Sequence, residues 1–276
     1  MCRWIAYSGG PIPLEEIVVN AEMSLIDQSL LARRAHEPTN GDGFGIGWFD
    51  SQSDPGRYRS TKPTWDDANL LDLAHHIHSP MFLAHVRRAT GTPIQQSNCH
   101  PFRYGQWLFA HNGQIEGFRE VKRELALSVS PDLYPEISGS TDSELMFFLA
   151  LTFGLEDNPV RSLEIMAGLV EEVCTSHEIA NPLQMTVCLT DGERVHAIRY
   201  SSNKQSRSLY YSASFRAMQE LHPYHAGTED FPENARAVVS EPLTTLSGLW
   251  VKVPESSALE VRNGEVRISP FRPQAP

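Results

Sequence analysis

No apolar run in this 276-residue chain approaches the ~20 residues of a membrane-spanning helix, so nothing in it reads as a bilayer anchor. The N-terminus lacks the basic start and apolar stretch of a secretory signal. Positive charge is scarce: 23 Lys and Arg stand against 34 Asp and Glu, a formal net charge of -11. Phosphate backbones and anionic bilayers are gripped by basic faces, so neither nucleic acid nor membrane is an expected partner. Cysteine is sparse too. Cys2, Cys99, Cys174 and Cys188 contain no C-x-x-C pair, which argues against a zinc knuckle or a redox dithiol. Four unpatterned cysteines suit a reducing cytoplasm rather than a disulfide scaffold, and a cytoplasmic location is expected.

Common catalytic signatures are missing as well. There is no G-x-S-x-G elbow for an α/β-hydrolase serine and no Walker A loop. The glycines of "GDGFGIGW" fall at 41, 43, 45 and 47, and the dinucleotide spacing G-x-G-x-x-G never occurs. Alternating glycine has strand period and leaves one face bare, so a chain segment or a ligand approaches there closely. His75, His76, His78 and His85 invite a metal hypothesis, but no carboxylate or cysteine is spaced to complete a shell. No metal and no cofactor are expected.

What is present is an ordinary globular composition, 41% hydrophobic and 21% charged, able to bury a sizeable core. Short apolar runs at 3–7, 44–49, near Tyr58, 81–89 and 106–111 predict strands. Helices are predicted over PLEEIVV after Gly9-Gly10, over 65–78, 117–127, 142–153 and 160–174. In "STDSELMFFLAL" Thr141 and Glu144 form a capping box ahead of a helix apolar nearly all round, hence buried. From 183 onward the pattern is strand and turn, with a hairpin around Asp191-Gly192. No linker-like stretch interrupts the chain. The expectation is one α+β domain over 1–276, with a loose tail at 268–276.

Four pieces carry groups suited to chemistry: Cys2, "AHVRRATGT" (84–92), "AHNGQIEGF" (110–118) and "GSTDSEL" (139–145). Singly, each has a plain structural explanation. Cys2 is a small core thiol, Arg87 a strand-end charge, Asn112-Gly113 a tight turn, and Asp142 an acid favoured at a helix start.

In order, Cys2, "NGDGFGIGW", R-x-A-T in "HVRRATG", "CHPF", "HNGQI" and "STDSEL" resemble the class II glutamine amidotransferases, which are N-terminal-nucleophile enzymes. "MCRWIAYSGGPIPL", "RYRSTKPTWDD" and "VVSEPL" resemble the stand-alone bacterial branch that includes the γ-glutamyl amidase of ergothioneine biosynthesis. The resemblance implies a four-layer αββα sandwich with two mostly antiparallel sheets. It also implies roles. With Met1 removed, Cys2 holds both the attacking thiol and an α-amine, whose pKa near ~8 suits it to accept the thiol proton. Asn112 and Gly113 form the oxyanion hole, Arg87 grips the substrate α-carboxylate, and Asp142 pairs with its α-ammonium. Three functions follow as expectations: hydrolysis of glutamine or a γ-glutamyl conjugate, a glutaminase feeding ammonia to a separate synthase, or a non-catalytic γ-glutamyl-binding or assembly module.

Overall fold

The computed structural model of the chain describes residues 2–30, 40–52, 54–214 and 232–276. Its first strand, β1 (Arg3–Pro13), is buried throughout its first six residues, so RWIAYS reads as a continuous run rather than an alternation. Trp4 and Ala6 enter one apolar cluster, and Ile5 and Tyr7 enter another on the opposite face. The same split recurs in β4 (His78–Val86), where Met81 and Leu83 join the first cluster and Phe82 and Ala84 the second.

The other strands follow in chain order: β2 (Phe44–Phe49), β3 (Gly56–Ser60), β5 (Phe102–Tyr104), β6 (Trp107–Ile115), β7 (Leu183–Thr190), β8 (Val195–Ser201), β9 (Tyr210–Ser212), β10 (Arg236–Val239), β11 (Trp250–Lys252), β12 (Ser257–Arg262) and β13 (Glu265–Pro270). They form two sheets, ordered β11-β9-β10-β1-β4-β2-β3 and β13-β12-β8-β7-β6-β5. Every described pairing is antiparallel. Trp4, Leu83, Leu108, Ala110, Cys188 and Ala197 close the space between the sheets. Helices α1 (Glu15–Val18), α2 (Leu25–Leu30) and α3 (Ala68–His76) cover the outer face of the first sheet through Ile17, Leu25 and Leu70. Helices α4 (Phe118–Leu127), α5 (Asp142–Thr152) and α6 (Pro159–Ser176) cover the second through Val121, Phe147 and Met166. This is the four-layer αββα sandwich of the N-terminal-nucleophile fold.

Several local expectations are corrected. Gly9 and Gly10 do not end the first strand, which runs on through a register shift between Ser8 and Ile12. The following helix is left with only Glu15–Val18. Asn112-Gly113 is no turn, since both residues lie inside β6, opposite Thr186 and Met185 of β7. Tertiary pairing overrides the local preference there. The expected loose tail is docked. Phe271 is buried in the α4–α6 cluster, and the Arg272 N–H and the Gln274 side chain bond the Glu164 carboxylate at 2.8 and 2.9 Å. The Gln274 N–H adds a bond to the Glu164 carbonyl at 3.0 Å. One aromatic and one buried acid thus hold a proline-rich end in place. The bare face of the glycine strand is covered by chain: a Cβ on Gly45 would overlap the His100 carbonyl, and one on Gly47 would meet Leu108 and Pro101.

Candidate active site

Pairing of Arg3 with Val86 sets Cys2, at the start of β1, beside the residues that leave β4. The Cys2 sulfur accepts the Arg88 backbone N–H at 3.3 Å and lies 3.5 Å from the Arg88 carbonyl oxygen. Cys2 is partly exposed; it is a free thiol, as are the buried Cys99, Cys174 and Cys188. Met1 lies outside the described residues. Cys2 faces a cavity of ≈ 230 Å³ that Arg87, His111, Gly113 and Asp142 also line. Of the five residues singled out from sequence, four border this space directly. Asn112, the fifth, is buried in β6 next to Gly113.

Arg87 is almost fully buried, 3% exposed, which makes the fate of its charge decisive. Its guanidinium donates to the Asp42 carbonyl (3.4 Å), the Thr92 hydroxyl (2.8 Å) and the Pro93 carbonyl (3.2 Å). All three acceptors are uncharged. Among the described residues the guanidinium therefore faces the cavity with no anion among its hydrogen-bond partners. The plain reading of Arg87 as a solvated strand-end charge is excluded.

Asp142 opens α5. Its Oδ2 accepts the Ile115 N–H at 2.9 Å and its Oδ1 the Ser143 N–H at 2.7 Å, which ties the end of β6 to the helix start. Thr141 caps the helix by accepting the Glu144 N–H at 3.1 Å, an interaction worth ~1 kcal/mol. The reciprocal half of the capping box does not form. The Glu144 carboxylate turns instead to the N–H groups of Ser138 (3.1 Å) and Gly139 (2.6 Å), bracing the loop that carries Thr141.

The oxyanion-hole candidates owe their placement to β7. A Cβ on Gly113 would overlap the Gln184 carbonyl and the His111 ring, so only glycine fits this point of the ladder. The Asn112 carbonyl accepts the Thr186 hydroxyl at 3.0 Å, and its side-chain oxygen accepts from Arg207 at 2.5 Å. Arg207 carried no signal in the sequence. It sits in the loop between β8 and β9, far along the chain from every motif singled out.

His111, inside a singled-out motif but overlooked, completes the floor. The Gln184 carbonyl can only accept, so His111 Nε2 carries the proton and donates across 3.2 Å. The Ser143 hydroxyl lies 2.9 Å from His111 Nδ1 and 3.1 Å from Asp142 Oδ1, so its one proton is shared between two acceptors. His85 and His100 pack beside it with ring centroids 4.1 Å apart. Burial pushes His85 down to about 3 and His100 well below the ordinary imidazole range. Burial also lowers His111, against an upward pull from the Asp142 charge. These rings are neutral in the folded protein at neutral pH.

Acid sensitivity follows from that neutrality. An unfolded histidine takes up a proton near 6.5, whereas folded His85 does so only near 3. Between those values the unfolded state binds more protons, so stability is complete above 6.5 and is lost as pH falls. His85 alone contributes a loss of ~2 kcal/mol between pH 6.5 and 5. Thermal melts from pH 7.5 to 5 should show a falling Tm, with a shallower slope in His85→Gln. Equal slopes would contradict a buried neutral His85.

The four histidines considered as a metal set do not converge. His75 on α3 bonds Glu15 at 2.9 Å, whereas His85 is buried in β4. Among the described residues no group of three or more His, Cys, Asp or Glu is arranged to hold a metal ion, and no helix is long and apolar enough to cross a membrane.

Known proteins with this pattern settle the family. A family model described as class-II glutamine amidotransferases matches residues 16–275. The chain belongs to that family. This amidotransferase is 30% identical to a probable glutamine amidotransferase, DUG3, of Saccharomyces cerevisiae, over 98% of this chain and 84% of the yeast protein. It is 42% identical to the γ-glutamyl-hercynylcysteine sulfoxide hydrolase of Mycolicibacterium smegmatis, over 42% of this chain and 52% of that one. A solved glutamine aminotransferase class-II domain protein from Silicibacter pomeroyi superposes with a TM-score of 0.73 at 29% identity, covering 99% of this chain and 100% of the other. Membership makes the amidotransferase an enzyme. Cys2 precedes the matched span, so its part rests on the geometry around the cavity.

Proposed function

We propose that this enzyme hydrolyses γ-glutamyl amides through a thioester on Cys2, with the free amino-acid end of the substrate held by Arg87 and Asp142. The observation that carries the reading is the buried Arg87 guanidinium, bonded among the described residues only to neutral oxygens and facing the same small cavity as the Cys2 thiol. An α-carboxylate supplies the missing negative charge in a bidentate geometry that a planar fork suits. Asp142, each of whose oxygens accepts a backbone N–H, is the carboxylate at this cavity wall that would pair with the α-ammonium. A volume of ≈ 230 Å³ falls below the ~300–1,000 Å³ typical of drug-sized ligands and fits a glutamyl group whose leaving amine extends outward.

In this reading the α-amine of Cys2, freed by loss of Met1, takes the thiol proton as sulfur attacks the γ-carbon. The Asn112 amide and the Gly113 N–H receive the developing oxyanion. Collapse breaks the C–N bond, the amine leaves with the proton held by the α-ammonium, and water then cleaves the thioester to glutamate. The name of the mycolicibacterial relative supports a γ-glutamyl conjugate as substrate, and with a conjugate no ammonia acceptor is needed. The reading also takes the protein as cytoplasmic, where all four thiols stay reduced.

A substrate panel tests it: glutamine, γ-glutamyl dipeptides and the matching α-glutamyl dipeptides, with release of glutamate and free amine measured. Turnover of γ- but not α-linked substrates is expected without added protein. A rate that appears only with a partner synthase would contradict a self-sufficient amidase. Arg87→Ala should lower kcat/KM by ~10²–10³-fold, the ~2–5 kcal/mol of a broken buried charge pair. That loss should appear mainly in KM, because the carboxylate is held in ground and transition states alike. A change within threefold would remove Arg87 from the substrate site.

A further inference from the structure

An amide side chain serves an oxyanion only if its nitrogen, not its oxygen, faces the reacting carbonyl. The two ends of a carboxamide are nearly the same shape, so packing alone chooses between them poorly. At Asn112 the choice is made by a charge. Arg207 Nη1 lies 2.5 Å from the Asn112 oxygen, and a guanidinium has donors only. The atom it meets must therefore be the acceptor, which turns the Asn112 NH2 away from Arg207.

We infer that Arg207 is a positioning residue that fixes the amide sense of Asn112 and so presents its nitrogen as the oxyanion donor. This rests on the reading of Asn112 given above. The supports of Arg207 fit such a task. Its backbone N–H donates to the Gln184 side chain at 3.0 Å, next to the β6–β7 ladder that holds Asn112. Its carbonyl accepts from Arg199 at 2.9 Å, and Arg199 also bonds the Val253 and Ser206 carbonyls at 2.6 and 3.3 Å. Glu255 pins the preceding residue through the Ser206 N–H at 3.2 Å and the Ser206 hydroxyl at 2.5 Å. A loop residue is thereby held as firmly as a strand residue. Asn112, which the guanidinium bonds, adjoins Gly113 in the cavity wall. Without it, a flipped Asn112 would aim its oxygen at a negative oxygen, and an unfixed one would divide its time between donor and acceptor.

A double-mutant cycle on Arg207→Met and Asn112→Ala, with Arg207→Lys as a milder variant, tests this on a γ-glutamyl substrate. Asn112→Ala should lower kcat by ~10²–10³-fold, as loss of one oxyanion donor does. Arg207→Met should lower kcat by ~10–100-fold with KM within threefold, because the defect arises as charge develops. Arg207→Lys retains a cationic donor and should recover most of that loss, and it also serves if the methionine variant fails to fold. The double variant should be no more than threefold worse than Asn112→Ala, since Arg207 acts through Asn112. Losses that multiply, or a loss confined to KM, would overturn the inference, as would near-normal kcat in Arg207→Met beside an impaired Asn112→Ala. Near-normal kcat in Asn112→Ala itself would remove the oxyanion reading and this inference with it.

Discussion

Cys2→Ala will lower kcat for γ-glutamyl hydrolysis by more than ~10⁴-fold while leaving the fold intact. The size of the loss follows from what one residue supplies. In the proposed mechanism its sulfur forms the acyl bond, and no other described cysteine lines the cavity. Water attacking the amide directly would lose both the covalent route and the proximity of a bound nucleophile. The fold should survive because, among the described residues, the hydrogen bonds given for the sulfur are two weak ones to Arg88 backbone atoms, and Cys2 is not part of the core. Activity and thermal melts measured on the same preparation separate the two effects. A Tm within a few degrees of wild type, with turnover gone, is the expected pair of results. Residual activity above a hundredth of wild type would show that another group attacks the substrate.

Gly113→Ala should damage both stability and turnover, and the site geometry says why. The added methyl group would overlap a backbone carbonyl of β7 and the His111 ring, neither of which is the free end of a flexible side chain. The strand must shift to relieve the clash, at a cost near the upper end of the ~1–3 kcal/mol seen for overpacked sites. A chain of this size should then lose ~6–10 °C in Tm. A displacement of ~1 Å also carries the Gly113 N–H away from the oxyanion position, for a further ~10²-fold loss in kcat. Gly105→Ala is the control. Gly105 has φ +52° and open space around it, so alanine there should cost ~1 kcal/mol of backbone strain without touching kcat. Equal kinetic effects from the two substitutions would contradict the assignment of Gly113.

The layers of this protein were legible because burial imposes regular patterns on the chain. Strands buried on both faces, such as β1 and β4, appear as apolar runs, and α5 appears as a helix without a polar face. The local exceptions share one cause, which is contact between residues distant in sequence. Asn112-Gly113 has turn chemistry, yet eight β6–β7 pairs from Leu108–Thr190 to Ile115–Leu183 hold it in a strand. Glu144 has the spacing to close a capping box, yet two N–H groups of the preceding loop claim it first. Phe271 lies in a proline-rich end that looks unstructured, yet it fills a gap in the helix layer.

The site itself was visible where chemistry is concentrated in short motifs. Cys2, Arg87, Gly113 and Asp142 each sit in a recognisable segment, and the fold gathers those segments around one cavity. What stayed hidden were the groups that hold the others. Arg207 acts across 95 positions of chain, and the glycine stripe at 45 and 47 serves the His100-Pro101 segment rather than a ligand. Supporting residues answer to a single partner's shape, and that shape exists only in the folded molecule.

The proposed mechanism requires Met1 to be removed and Cys2 to act as nucleophile. Intact-mass and peptide mass spectrometry after treatment with a diazo-ketone analogue of glutamine tests it in one measurement. Met-free protein carrying one adduct, located on the Cys2 sulfur and blocked by excess γ-glutamyl substrate, is expected. Folded, Met-free protein that stays unlabelled at Cys2, or is labelled elsewhere with loss of activity, would contradict it.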